Sequence, residues 1–135
     1  MQDRAFIDTN VFIYYQRADD HIKQSVAKKL LENNNCVISI QVISEISNIF
    51  TKKYPALKEE TKLFLQEIFV FCEVITLTKN IIFRALKIHH RYKFSFFDSQ
   101  IIAAALEANC GVLYSEDMQD GQIIEDSLKI VNPFV

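Results

Sequence analysis

Four carboxylates stand where apolar sequence gives way to polar sequence: Asp8, Glu45, Asp98 and Asp117. Asp8 ends the run Phe6-Ile7 and is followed by Thr9-Asn10. An apolar strand that delivers a carboxylate at its end suits a metal ligand, because hard cations prefer oxygen donors. The same Asp-Thr-Asn triplet also suits an Asx turn or helix cap. Glu45 follows Val42-Ile43-Ser44 and precedes Ile46. At about 100° per residue it borders an apolar helical stripe. A carboxylate there needs a partner, since burying an unpaired charge is costly. That partner is a cation or a lysine such as Lys52 or Lys53. Asp98 has capping-box spacing from Ser95. A helix start holds a side chain rigidly, so capping and metal ligation are compatible. Asp117 shares the turn Ser115–Gly121 with Glu116 and Asp120. Asp117 is the first choice as ligand, Ser115 a hydrogen-bonding support, and Glu116 and Asp120 supporting or structural candidates.

Clustered carboxylates repel one another unless a cation lies between them. A pocket built from all four therefore calls for a divalent metal, most naturally Mg²⁺ or Mn²⁺. The histidines, His21, His89 and His90, have no catalytic spacing. His89 and His90 fall near a helix end with Lys87, Arg91 and Lys93. Such an end suits phosphate contact or is an ordinary solvated, dipole-compatible terminus. Cys36, Cys72 and Cys110 are far apart in sequence and lack metal-ligand spacing, so they read as reduced thiols packed as small hydrophobes. A net charge of −2 argues against a protein that only grips nucleic acid, which is usually basic. It is compatible with an acidic site neutralised by metal ions.

The elements that must position these acids alternate. Strands are expected at Ala5–Ile7, Cys36–Ile40, Val74–Leu77, Val112–Tyr114 and Leu128–Val131. Helices are expected from Val11, over His21 to about Glu32, Gln41–Tyr54, Lys58–Phe71, from the cap Thr78 to about Tyr92, and from Ser95 to about Asn109. The last is so apolar, with Ile101, Ile102, Ala103, Ala104, Ala105 and Leu106 in one run, that it must be central. Strands separated by helices indicate a parallel sheet in an α/β domain. Ligand sites in such sheets form outside the carboxyl ends of the strands. Asp8 and Asp117 occupy such positions. The 135 residues are expected to form one domain. No apolar run reaches the roughly 18 residues of a membrane span, and the N-terminus lacks a signal-peptide pattern. A cytoplasmic protein without a membrane partner is the expectation.

The segments FIDTNVFIY at Phe6–Tyr14, ISIQVISEISN at Ile38–Asn48, FSFFDSQIIAAA at Phe94–Ala104, LYSEDMQDG at Leu113–Gly121 and KIVNPF at Lys129–Phe134 resemble PIN-domain proteins, close to the VapC-type toxins. The resemblance spans essentially the whole chain. It implies a three-layer α/β/α fold with a central parallel sheet of about five strands, and metal-dependent endoribonuclease activity. It carries the family acids onto Asp8, Glu45, Asp98 and Asp117, and a supporting hydroxyl onto Thr9, with Asn10 next to it. It further implies an RNA substrate, a homodimer and a cognate antitoxin. An inactive PIN-like module acting through protein contacts is the competing reading. A receiver domain would need an acceptor Asp after the third strand, where Ile75-Thr76-Leu77-Thr78 has none. A haloacid-dehalogenase-like phosphatase would need a second acid where Asn10 stands.

Overall fold

The computed structural model describes residues 4–17 and 19–135. Met1–Asp3 and Ala18, and with them the start of the segment read for a signal peptide, lie outside the described residues.

A six-stranded sheet forms the centre, in the order β3-β2-β1-β4-β6-β5. β1 (Arg4–Ile7) lies in the interior of the sheet, paired in parallel with β2 (Asn35–Ser39) and β4 (Val112–Tyr114). Ala5, Phe6 and Ile7 have no exposed surface. A parallel strand covered on both faces needs such a continuous apolar run. β3 (Glu73–Ile75) pairs with β2, and β6 (Leu128–Val131) with β4, both in parallel.

The five expected strands are present, with shifted ends. Ile40 opens a helix instead of closing a strand, and the third strand stops at Ile75. A sixth strand, β5 (Ile123–Ile124), is antiparallel to β6, so the sheet is mostly rather than wholly parallel. Glu125 and Asp126 link the two with φ values of 49° and 56°, and Ser127 N–H donates to the Ile124 carbonyl at 3.1 Å. Two positive-φ residues inside such a bond match the type I′ turn that suits strand twist.

Among the described residues six helices accompany the sheet. α1 (Thr9–Gln16) is capped by Asp8, and α2 (His21–Asn33) by Asp20. α3 (Ile40–Lys53) begins directly on the end of β2, and α4 (Lys58–Phe71) packs against it. α5 (Lys79–Tyr92) is capped by Thr78 and ends in left-handed Lys93. α6 (Phe96–Glu107), capped by Ser95, buries every residue from Ser99 to Leu106, packing on α5, β2 and β4. The chain runs outward through β2 and β3, then returns across β1 to β4. Right-handed crossovers put α1–α4 on one face and the α5–α6 pair on the other, giving three layers. Among the described residues no helix is long and apolar enough to cross a membrane.

Candidate metal centre

The chain leaves β1 toward β2 and later resumes beside β1 with β4, so the strand order reverses there. Such a switch point opens a crevice at the carboxyl ends of the strands. Asp8 sits at it. Its backbone N–H donates to the Tyr114 carbonyl at 3.0 Å, which fixes its place at the carboxyl ends of β1 and β4. One carboxylate oxygen accepts from Thr9 N–H at 2.7 Å as the α1 cap; the other accepts from the Ser115 hydroxyl at 2.8 Å. Cap and site residue are one and the same.

An open cleft of about 280 Å³ is lined by Asp8, Thr9, Asn10, Glu45, Asp98 and Asp117, with Asn48, Ile49 and Ile101. All four expected acids meet there. Glu45 projects from α3. Thr9 Oγ1 donates to one of its oxygens at 2.6 Å and Gln41 Nε2 to the other at 3.2 Å. The alternative of an ion pair with Lys52 or Lys53 is not realised. Asp98 lies on the first turn of α6, where its N–H donates to Ser95 Oγ at 3.1 Å. Asp117 is exposed in the turn after β4 and accepts from Asn10 Nδ2 at 2.8 Å.

The electrostatics ties the four together. Asp8 has its carboxyl pushed up from 3.8 to about 6. Burial is the main cause, hydrogen bonds from Thr9 and Ser115 oppose it, and the charges of Glu45 and Asp98 add to it. Asp98 is also raised, first by burial, against the pull of Ser95, with further push from Asp117 and Glu45. Each acid therefore raises or is raised by another in the same cleft.

The donor set is all oxygen, which fits Mg²⁺ or Mn²⁺ rather than a thiolate-seeking metal. Among the described residues no three Asp, Glu, His or Cys side chains stand close enough together to hold a metal ion by direct ligation. A zinc site of structural type needs such a set. Mg²⁺ does not, because it keeps several waters and takes one or two carboxylates directly. The open cleft fits that coordination habit.

The PIN domain profile matches residues 5–119. The chain belongs to the PIN domain family. No curated protein matches it. Among solved structures, PIN-fold similarity extends to a toxin–antitoxin complex from Klebsiella pneumoniae, at 22% identity and TM-score 0.72, covering 96% of this chain and 97% of that one. VapC20 of Mycobacterium tuberculosis, described as a Sarcin-Ricin loop cleaving toxin, shares 18% identity and a TM-score of 0.68 over 84% of this chain and 89% of its own. FitAcB from Neisseria gonorrhoeae shares 18% identity and a TM-score of 0.73 over 96% and 98%. These likenesses establish the fold.

Within this PIN domain, some supporting candidates stand elsewhere than the sequence suggests. Ser115, expected beside Asp117, donates to Asp8. Glu116 points away from the cleft. It accepts from Lys23 Nζ and from the Tyr14 hydroxyl, each at 2.6 Å, and so pins the Asp117 turn to α1 and α2. Burial pushes the Glu116 carboxyl up, but the hydrogen bonds from Lys23 and Tyr14 together outweigh it and leave the carboxyl below its usual range. Asp120 accepts from Asn132 N–H at 2.8 Å and braces the same turn from the C-terminal segment. Among the described residues no histidine lines the cleft. His89 Nδ1 lies 2.6 Å from the Phe94 carbonyl, an arrangement that closes the α5–α6 connection.

Gln41 and Asn48 were missed by the sequence reading. Both lie on the Glu45 face of α3, at positions i−4 and i+3. That spacing was the available signal.

Proposed function

We propose that this PIN-domain chain is a divalent-cation-dependent endoribonuclease and the toxin of a toxin–antitoxin pair. The observation that carries the reading is the meeting of Asp8, Glu45, Asp98 and Asp117 in one cleft at the strand switch point. Asp8, Asp98 and Asp117 would hold the cation, one or two of them directly and the rest through its bound waters. When bound, a divalent ion supplies Lewis-acid activation of water and neutralises charge on the phosphate. Glu45, oriented by Thr9 and Gln41, would accept a hydrogen bond from the attacking water. In the in-line displacement the water oxygen bonds to phosphorus, and one ester oxygen leaves with a proton. With no histidine in the cleft, proton handling falls to the carboxylates. Ile49 and Ile101 wall the cleft and limit water around the reacting phosphate.

The similar toxin–antitoxin folds support a cognate antitoxin; RNA as substrate and a homodimer belong to the same proposal and rest on the resemblance of the sequence motifs. Purified protein should cleave members of a panel of defined RNAs with Mg²⁺ or Mn²⁺ and stop with EDTA. Asp8→Asn and Asp98→Asn should stay folded and lose cleavage. Full activity in either variant, or cleavage that persists in EDTA, would remove the proposal.

A further inference from the structure

Two buried glutamines outside the set of acids form a directed chain that ends on Glu45. Gln41 on α3 is 8% exposed and Gln100 on α6 is 5% exposed. Gln100 Nε2 donates to Gln41 Oε1 at 2.5 Å. Gln41 Nε2 then donates to Glu45 Oε2 and to the Phe97 carbonyl, both at 3.2 Å. The orientation of Gln41 follows from its partners. Its nitrogen faces two acceptors, so its oxygen faces the donor that the described residues supply, Gln100.

The placement of this chain is what gives it meaning. α3 and α6 belong to opposite helix layers and meet above the carboxyl edge of the sheet. α3 carries Glu45, and α6 carries Asp98. The amide of Gln41 touches the Glu45 carboxylate on one side and, on the other, the backbone one residue before Asp98. Stability alone does not explain it. The neighbours along both helices are apolar: Val42, Ile43 and Ile46 on α3, Ile101 and Ile102 on α6, all buried. Replacing both partners of a buried hydrogen bond by apolar groups of similar shape is close to neutral or stabilising.

We propose that Gln41, locked by Gln100, is a positioning residue that sets Glu45 against Asp98 across the two helix layers. The inference rests on the reading of the cleft as a divalent-cation site. Removing hydrogen-bond partners behind metal-site ligands typically weakens metal affinity or activity by roughly 10–100-fold.

The test is the double variant Gln41→Met/Gln100→Met in the full chain. Its thermal midpoint should equal or exceed that of the wild type. Its Mn²⁺ dissociation constant, by calorimetry, should rise by roughly 10–100-fold. RNA cleavage should fall in kcat at fixed subsaturating Mn²⁺, recover as Mn²⁺ is raised, and keep its KM for RNA. Gln100→Glu is the second variant. It replaces the donor to Gln41 Oε1 by an acceptor, which favours a flipped Gln41 amide that turns its oxygen on Glu45. Weakened Mn²⁺ binding in a folded Gln100→Glu protein supports the inference even if the double variant does not fold. Wild-type Mn²⁺ affinity and kcat in a folded form of either variant overturn it. Absence of Mn²⁺ binding in the wild type instead overturns the reading of the cleft, and the inference falls with it.

Discussion

Replacing Asp8 with Asn should make the metal-free protein more stable while abolishing cleavage. The Asp8 carboxyl titrates at about 6 in the folded chain against an ordinary 3.8. Between those values the folded state binds more protons than the unfolded state. Stability therefore falls as pH rises through the window from about 4 to about 6. The difference corresponds to about 3 kcal/mol lost by neutral pH. Asn removes the charge and keeps both contacts: its oxygen can accept from Thr9 N–H, and its amide can donate to Ser115 Oγ. The cleft admits water on one side, so the gain should be less than the full figure, about 1–3 kcal/mol. Urea denaturation in EDTA should show that gain at pH 7.5 and a much smaller one at pH 4, where wild-type Asp8 is largely protonated. Adding Mg²⁺ should stabilise only the wild type and narrow or reverse the gap, since a ligand at 100 times its Kd adds about 2.7 kcal/mol. A less stable Asp8→Asn protein at pH 7.5 in EDTA, or a gap that does not change with pH, would refute the electrostatic argument.

Three further outcomes are expected. Thr9→Val keeps the side-chain shape but removes the 2.6 Å hydrogen bond to Glu45; single-turnover cleavage should slow by roughly 10–100-fold with an unchanged circular dichroism spectrum. Asp117→Ala and Glu116→Ala should separate, although the residues are adjacent. Asp117→Ala should weaken Mn²⁺ binding measured by calorimetry, whereas Glu116→Ala, which only frees the turn from α1 and α2, should weaken it less. Ser95→Ala removes the α6 cap and should cost about 1 kcal/mol in denaturation, with a loss of cleavage through the freed Asp98 turn.

The sequence shows those features whose local signals agree with the tertiary fold. Asp8 is legible because an apolar strand stops at it. Asp98 is legible because Ser95 marks a helix start and an unbroken apolar run marks that helix as central. Glu45 is legible from its place at the edge of a stripe. The rest depends on partners far along the chain. Nothing local says that Glu116 turns toward Lys23, 93 positions earlier, while Asp117 turns toward Asn10. Gln41 and Gln100 interrupt apolar runs as any surface residue would; their burial follows only from the meeting of α3 and α6. The strand Ile123–Ile124 is two residues long, and its turn uses Glu125-Asp126 in place of the glycine-bearing pairs that usually announce a hairpin. Ile40 looks like strand because it continues the run Cys36–Ser39, and no side-chain cap at Ser39 marks the helix that starts there.

The central claim is that Asp8, Asp98 and Asp117 hold a divalent cation in this one cleft, with Glu45 beside it. Crystals soaked in Mn²⁺ and measured at the manganese absorption edge test it most directly. The account predicts an anomalous peak within direct coordination distance of the Asp8 carboxylate and lying between it and the Asp98, Asp117 and Glu45 side chains. A map with no peak there at millimolar Mn²⁺, or with its peak outside the cleft, would contradict it.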